Sequence, residues 1–374
     1  MQTQFFHYMA LARRSFFRHR VLTALMILAI ALGIGTSMTA LTVLHVLSVD
    51  PLPGKSSRVY AVQFDANPHA PGQVPDPQLT RSDAETLLRA RRAEHQALMV
   101  EGYPTIEPER ADQRPFNADT RYTSADFFTL FDVPFDRGRP WSAAEDEAHA
   151  RVAVISKELE QKLFGAGNGM GRNVRLERHE FVVVGVLAHW RPVPRFYDLT
   201  QGPYELAEQI FLPFSTSREL GLGVAGNIHC WGDPGPDAFA LGATCSWIQF
   251  WVELGSAQQA SAYRDFLLSY AEEQRRTGRV AQAPAVQLRN VMQWLDFQRA
   301  VPSDIRLQTW LSLAFLVVCL LDTVGLLLAK FLRRSPEIGV RRALGASRRA
   351  IFAQFLIEAG SIGLAGGVLG LGLA

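Results

Sequence analysis

Three long apolar runs and one long mixed stretch divide the chain. Residues 21–49 contain no Asp, Glu, Lys or Arg. A membrane helix needs only about 20 such residues, so this run predicts a span that projects past the far surface, with His45 near that end. A second run, 308–329, is interrupted by a single carboxylate, Asp322. A third begins near Ile351 and is still apolar at Ala374. Between the first and second runs the pattern changes to short segments. Residues 59–64, 151–155, 173–177, 180–187 and 246–254 are rich in β-branched or aromatic side chains and predict strands, with Arg178-His179 as a hairpin tip. Helix starts alternate with them. Ser82 with Glu85 makes a capping box ahead of Leu87 and Leu88, Ser124 opens a segment holding Phe127, Phe128 and Phe131, and Ser156 opens one closed by Gly165. Residues 256–277, closed by Gly278, read as the longest helix of this stretch. The expectation is a mixed α and β domain with a core of its own, inserted between membrane helices.

A short basic segment, Arg333-Arg334-Ser335-Pro336-Glu337-Ile338-Gly339-Val340-Arg341-Arg342-Ala343-Leu344-Gly345-Ala346-Ser347-Arg348-Arg349, lies between the second and third apolar runs. Ser335 can cap a helix, Pro336 suits its first position, and Gly345 can end it in the left-handed conformation. Glu337 stands four residues before Arg341, the favourable order for a helical ion pair. A helix of about two and a half turns is still too short to be stable alone. Lipid headgroups or a partner protein must hold it.

Charge then sets the orientation. Arg13, Arg14, Arg18 and Arg20 precede the first run without an acidic residue, and Lys330, Arg333, Arg334, Arg341, Arg342, Arg348 and Arg349 follow the second against only Glu337. Both regions face the cytoplasm by the positive-inside rule, which puts the mixed stretch outside. The net charge of +2 is therefore a topological signal and gives no support to nucleic-acid binding. The first run is about twice the length of a signal-peptide core, so a retained anchor is expected. The interleaved aromatic and arginine residues before it suit a helix lying among lipid headgroups.

The external stretch holds Cys230 and Cys245, while Cys319 falls in the second span. An oxidising compartment favours a disulfide between the first two. Such a closed loop stabilises by about 3 kcal/mol in the chain-entropy account. The alternative is two free thiols. His229 beside Cys230 invites a metal with His179 or His189, but no CxxC or HxxxH spacing is present, and no metal is expected. Asp322 lies about 20 Å along its helix from Gln308, where an acid is either a functional group or a protonated one hydrogen-bonded to another helix. No catalytic residue emerges. The chain has no GxxxxGK[ST] phosphate loop, GxSxG elbow or HExxH helix, so an anchored external enzyme is the weakest reading, and ATP hydrolysis is expected on another chain.

The run Glu-Ile-Gly-Val-Arg-Arg-Ala-Leu-Gly-Ala at 337–346, followed by a basic pair and then Gln354-Phe355-Leu356-Ile357-Glu358-Ala359, resembles the cytoplasmic loop of FtsX-like ABC transporter permeases, including the macrolide-exporter (MacB) type. Residues 122–140, 152–165 and 181–186 are similar to the periplasmic core domain of the same permeases, in order and spacing as well as residue type. The part from 187 to 245 follows no pattern of that family. The resemblance implies that Glu337, Ile338, Gly339, Val340, Arg341, Arg342, Ala343, Leu344, Gly345 and Ala346 form a coupling helix that docks on an ABC ATPase subunit. ATP and magnesium would be held on that partner, with no cofactor on this chain.

Hydropathy, charge and the resemblance together divide the chain into a cytoplasmic or interfacial amphipathic segment 1–20, transmembrane helix 21–49, a MacB-type periplasmic core domain 50–303, transmembrane helix 304–332, a coupling loop 333–350 and a transmembrane helix 351–374 that reads as truncated. The resemblance further implies an inner-membrane permease that works by mechanotransmission with a second permease copy, identical or paralogous. A periplasmic adaptor and an outer-membrane channel are further partners of such systems, and the membrane lipids contact the spans. The alternative is an FtsX-like regulator of periplasmic partners that moves no substrate. Relatives carry a neutral amide near Asp322, so that carboxylate is a departure. Gly363, Gly366, Gly367 and Gly370 form overlapping GxxxG spacings that let a second helix approach. The 16 residues after Glu358 reach about 24 Å, short of a roughly 30 Å hydrocarbon core. Together with the four membrane helices of the family, this predicts a longer protein whose fourth span packs on those glycines.

Overall fold

The computed structural model describes residues 20–67, 76–109, 113–165, 169–280, 285–333 and 335–374. Two compact units are present, Asp50–Ala300 and a second made of the residues on either side of it. The chain enters through α1 (Arg20–Ser48), β1 (Val59–Asp65), β2 (Leu79–Thr80), α2 (Arg81–Ala90), β3 (His95–Gly102), β4 (Thr105–Glu107), β5 (Phe116–Asn117) and β6 (Thr120–Thr123). It continues with α3 (Phe127–Leu130), β7 (Phe135–Gly138), α4 (Ala143–Glu147), β8 (Val152–Ser156), α5 (Lys157–Phe164), β9 (Asn173–Leu176) and β10 (His179–Leu187). Then come β11 (Ile210–Pro213), α6 (Phe214–Glu219), β12 (Val224–Ala225), β13 (His229–Cys230), β14 (Cys245–Glu253), α7 (Ala257–Arg276), β15 (Ala285–Asn290) and α8 (Val291–Phe297). The last elements are α9 (Ser303–Arg333), α10 (Ser335–Ala343) and α11 (Arg348–Leu373).

One mixed sheet runs through the domain between α1 and α9 in the order β15-β1-β14-β3-β6-β11-β8-β10-β9-β4-β5. Its centre is covered on both faces, which explains why its strands carry apolar residues at successive positions and do not alternate with polar ones. The side-chain period of two sends Val62 and Phe64 of β1, Leu98 and Val100 of β3, and Ala153 and Ile155 of β8 into one core. Val59 and Ala61, Ala97 and Met99, and Val152 and Val154 enter the other. Helices α2, α5 and α7 close the first core with Leu87, Leu159, Leu163 and Leu267. The second is aromatic: Phe127, Phe128, Phe131, Phe196, Tyr197, Phe211, Trp251 and Trp294 gather there, with edge-on contacts such as Phe127 to Phe131 at 5.0 Å.

Local signals place most helix ends, with three differences. Ser156 and Ser256 cap α5 and α7 as the sequence predicts. Helix α2 starts earlier than predicted: Thr80 is its cap and accepts from the Asp83 amide, so Ser82 lies inside the first turn. Thr80 wins because β2 pairs with β14 through Leu79 and Thr80, which fixes where extended backbone ends. Helix α3 begins after Asp126 without a side-chain cap, and the Ser124 carbonyl accepts from the Phe127 amide. The β9–β10 turn is Glu177-Arg178, both at positive φ (45° and 71°), with His179 already paired to Leu176. Two successive left-handed residues match the twist of a tight hairpin.

In the second unit, α1, α9 and α11 are long and apolar enough to cross a membrane. Helix α1 packs against both others, and its Ser37 donates to the Ser312 carbonyl at 3.0 Å. A Cβ at Gly366 would sit 2.7 Å from the Ile30 Cβ, and one at Gly370 would sit 2.8 Å from the Ala31 carbonyl. Small residues thus let α11 approach α1 closely. A Cβ at Gly367 would reach only Ile34 at 3.9 Å, and one at Gly363 would meet open space. The first span thus covers Gly366 and Gly370 of the predicted glycine surface, while Gly363 and Gly367 are not closely covered by any described residue. Residues 1–19, the greater part of the predicted amphipathic segment, lie outside the described residues.

Candidate functional site

The segment between α9 and α11 is built by local rules. Helix α10 carries Pro336 in its first turn, where a missing amide donor costs nothing. It unwinds through Leu344, whose amide donates to the Val340 carbonyl at 3.0 Å, and Gly345, whose amide donates to the Arg342 carbonyl at 3.1 Å. Gly345 stands at φ +97°, where a side chain would be strained. The Ile351 amide then closes the first turn of α11 on the Ser347 carbonyl at 3.2 Å.

The elbow helix shows apolar and basic side chains side by side. Val340 and Leu344, one turn apart, are 60% and 83% exposed. Arg342, Ala343, Arg348 and Arg349 are exposed as well, while Ile338 and Ala346 are half-buried. A Cβ at Gly339 would meet nothing within 4 Å. The side chains of Glu337 and Arg341, and with them the predicted ion pair, lie outside the described residues, as does Arg334. The described part is an apolar ridge flanked by cations, with free space beside its glycine.

A charge pair that the sequence reading overlooked lies next to this elbow. Lys330, near the end of α9, meets Glu358 of α11 at 2.6 Å, and both side chains are 98% buried. One turn earlier on α11, Phe355 packs on Phe331 with ring centroids 4.2 Å apart. Asp322, the intramembrane acid singled out from the sequence, differs. Its side chain is exposed on the surface of α9. Its neighbour Thr323 is turned inward and donates to the Cys319 carbonyl at 2.7 Å.

In the unit Asp50–Ala300, Cys230 and Cys245 are joined by a disulfide, at the pairing of β13 with β14, and Cys319 is the free cysteine. His229 meets Asp76 at 3.0 Å, and among the described residues no three His, Cys, Asp or Glu gather into a group that could hold a metal. A cleft of about 1070 Å³ opens among α2, α4 and α6. Arg91 and Glu147 face each other across it at 2.8 Å, and Arg218 lines it over the rings of Tyr122 and Trp247. Burial pushes the Arg218 guanidinium down to about 10.

The segment 188–209, unreadable from the sequence, is tied to the sheet by buried charge. Arg121 of β6 is fully buried, with Nη1 2.5 Å from Asp198, Nε 2.9 Å from Glu208 and Nη2 also on Glu208. Tyr197 donates to Glu208 at 2.5 Å, and Gln249 to Asp198 at 3.1 Å. Arg195 reaches Glu208 at 3.4 Å and Glu101 at 3.7 Å. Burial alone would lower the Arg121 value, but Glu208 and Asp198 hold it above the usual range. Burial likewise opposes ionisation of Asp198, yet Arg121 and a hydrogen bond from Thr200 keep that carboxyl below its usual range. Glu101, whose desolvation outweighs the pull of Arg121, is raised.

Residues 23–265 match the family model described as MacB-like periplasmic core domain, and residues 310–374 match that of the FtsX-like permease C-terminal region. The first match alone covers more than half of the chain. The chain belongs to the MacB-like, FtsX-like ABC transporter permease family. It is 24% identical over 368 residues to the pyoverdine export ATP-binding/permease protein PvdT of Pseudomonas aeruginosa, covering 95% of this chain and 49% of that one. It is 25% identical over 242 residues to the macrolide export ATP-binding/permease protein MacB of Bdellovibrio bacteriovorus, covering 63% and 32%. The permease thus spans about half the length, or less, of these curated relatives. Among solved structures, the periplasmic region of MacB from Actinobacillus actinomycetemcomitans aligns over 65% of this chain and 93% of that chain, at 14% identity and a TM-score of 0.41.

Proposed function

We propose that this permease couples an ABC ATPase partner to movement of its external domain, and that residues 337–346 are the docking element. The observation that carries the proposal is the elbow itself. A short helix with exposed Val340 and Leu344 among arginines joins two helices long enough to span a membrane, in a chain without a phosphate-binding loop. Such a ridge gains stability when a groove covers it. The partner holds ATP and magnesium, and its closure drives α10 and, along the chain, the helices that flank the external domain in sequence.

In this reading the protein lies in the inner membrane with α10 cytoplasmic and the domain between α1 and α9 periplasmic, as the distribution of cations supports. Two permease copies act on two ATPases. Relatives named for export of pyoverdine and of macrolides support an export role, with an adaptor and an outer-membrane channel as further partners.

The test is recruitment of the ATPase to the permease in lipid nanodiscs. A Cβ at Gly339 would meet nothing within 4 Å and Ala343 is exposed, so Gly339→Trp and Ala343→Trp are expected to leave the fold of the chain intact. Both variants are expected to insert normally and to lose ATPase binding by tenfold or more. Undiminished binding in both would refute the docking assignment.

A further inference from the structure

Lys330 and Glu358 are a costly way to pack two helices. Taking both charges out of water carries a desolvation penalty that apolar residues of similar size avoid, and replacement of such pairs by apolar residues is commonly neutral or stabilising. Within a membrane the penalty for an ionised side chain is harsher. Simple adhesion between α9 and α11 is therefore a poor account of the pair. What an ion pair does provide is register: the contact at 2.6 Å exists at one axial offset of the two helices and is lost if either slides, whereas apolar surfaces tolerate sliding.

The location gives that register a purpose. Lys330 is three residues from the end of α9, and Glu358 is ten residues into α11, about 4.5 Å and 15 Å from the elbow at the helical rise. Side chains lean toward the N-terminus of their own helix. In this antiparallel arrangement Lys330 therefore leans away from the elbow and Glu358 toward it, and the two meet between these levels. The stacked Phe331 and Phe355 rings sit beside them. Helix α1 packs on both α9 and α11, so each arm has support elsewhere, while the pair joins the arms directly.

We propose that Lys330 and Glu358 are positioning residues that clamp α9 and α11 into one hairpin, so that a push on α10 moves both arms together. The clamp rests on the coupling role assigned to the elbow above. Losing it leaves ATPase docking intact and uncouples docking from transmission.

The experiment uses the full chain in lipid nanodiscs with its ATPase and the variants Lys330→Met, Glu358→Gln, the exchanged pair Lys330→Glu with Glu358→Lys, and the apolar pair Lys330→Met with Glu358→Leu. Two quantities are read: the ATPase concentration giving half-maximal complex, and the ATP turnover of the saturated complex. Spin labels at the exposed positions Leu332 and Phe352 report the distance between the arms without any ATPase. Each single variant is expected to leave half-saturation within twofold, lower turnover at least tenfold and broaden the label distances, while the exchanged pair restores both readouts. Unchanged turnover in the single variants, failure of the exchanged pair, or full turnover in the apolar pair would overturn the clamp. If the unaltered permease recruits no ATPase, the coupling role falls, and the label distances alone decide the clamp: sharp distances in the single variants refute it, and broadening reversed by the exchange supports it.

Discussion

Replacing Arg121 with Met removes the centre of the buried charge network while keeping a long unbranched side chain. In the structure the guanidinium is fully buried and bonded to Asp198 and Glu208. The variant leaves two buried carboxylates served by Arg195, Tyr197, Thr200 and Gln249. Breaking one member of such a group costs about 3–5 kcal/mol, because the remaining charges stay buried and uncompensated. For a domain of this size 1 kcal/mol shifts the melting temperature by about 2–4 °C, so a fall on the order of 10 °C is expected. The loss should be felt first in the irregular segment 188–209, which the network ties to β6 and β14. Thermal unfolding of the permease in nanodiscs, followed by tryptophan fluorescence, gives the global value, and amide exchange of peptides from 188–209 gives the local one. Adding Asp198→Asn and Glu208→Gln to the variant removes the stranded charges and should recover at least half of the loss. A melting temperature within 2 °C of the unaltered protein, or a triple variant no better than the single one, would refute the reasoning.

Three further outcomes follow from the geometry. Glu101 binds its proton more tightly folded than unfolded, so its contribution favours the folded state below the ordinary value of 4.5 and is lost as pH rises through the raised folded value. Glu101→Gln should therefore stabilise the domain at neutral pH relative to acid, and an unchanged pH profile of the melting temperature would contradict this. Gly366→Leu and Gly370→Leu should separate α11 from α1, since even a Cβ there falls 2.7–2.8 Å from α1 atoms, whereas Gly363→Leu should be tolerated because its site is open. Equal effects at all three in a cross-linking assay between α1 and α11 would speak against this packing. Reducing the Cys230–Cys245 bridge should cost up to about 3 kcal/mol and raise amide exchange in 228–245, with non-reducing peptide maps showing the linked pair; free thiols at both positions would exclude it.

Much of this protein was written in local sequence. A charge-free run of 29 residues can hardly be anything but a membrane-length helix, and serine caps at 156 and 256 fix helix starts because cap and capped amide lie three residues apart. The form of the elbow was equally legible, since Pro336 and Gly345 act on their own backbone. Tertiary structure decided whatever depends on partners distant in the chain. Thr80 displaced Ser82 as a cap because β2 is held by β14. Arg121 meets Glu208 because β11, which follows Glu208, runs parallel to β6, and Asp198 joins them through Arg121 and Gln249 of β14, a convergence that leaves no mark in any one segment. The same holds for Lys330 and Glu358: each resembles an ordinary charge near a membrane boundary until the axial offset of α9 against α11 buries both together. Caps, breakers and apolar runs are short-range and readable along the chain, whereas the compensation of buried charge is set by register and helix packing, which exist only once the elements have met.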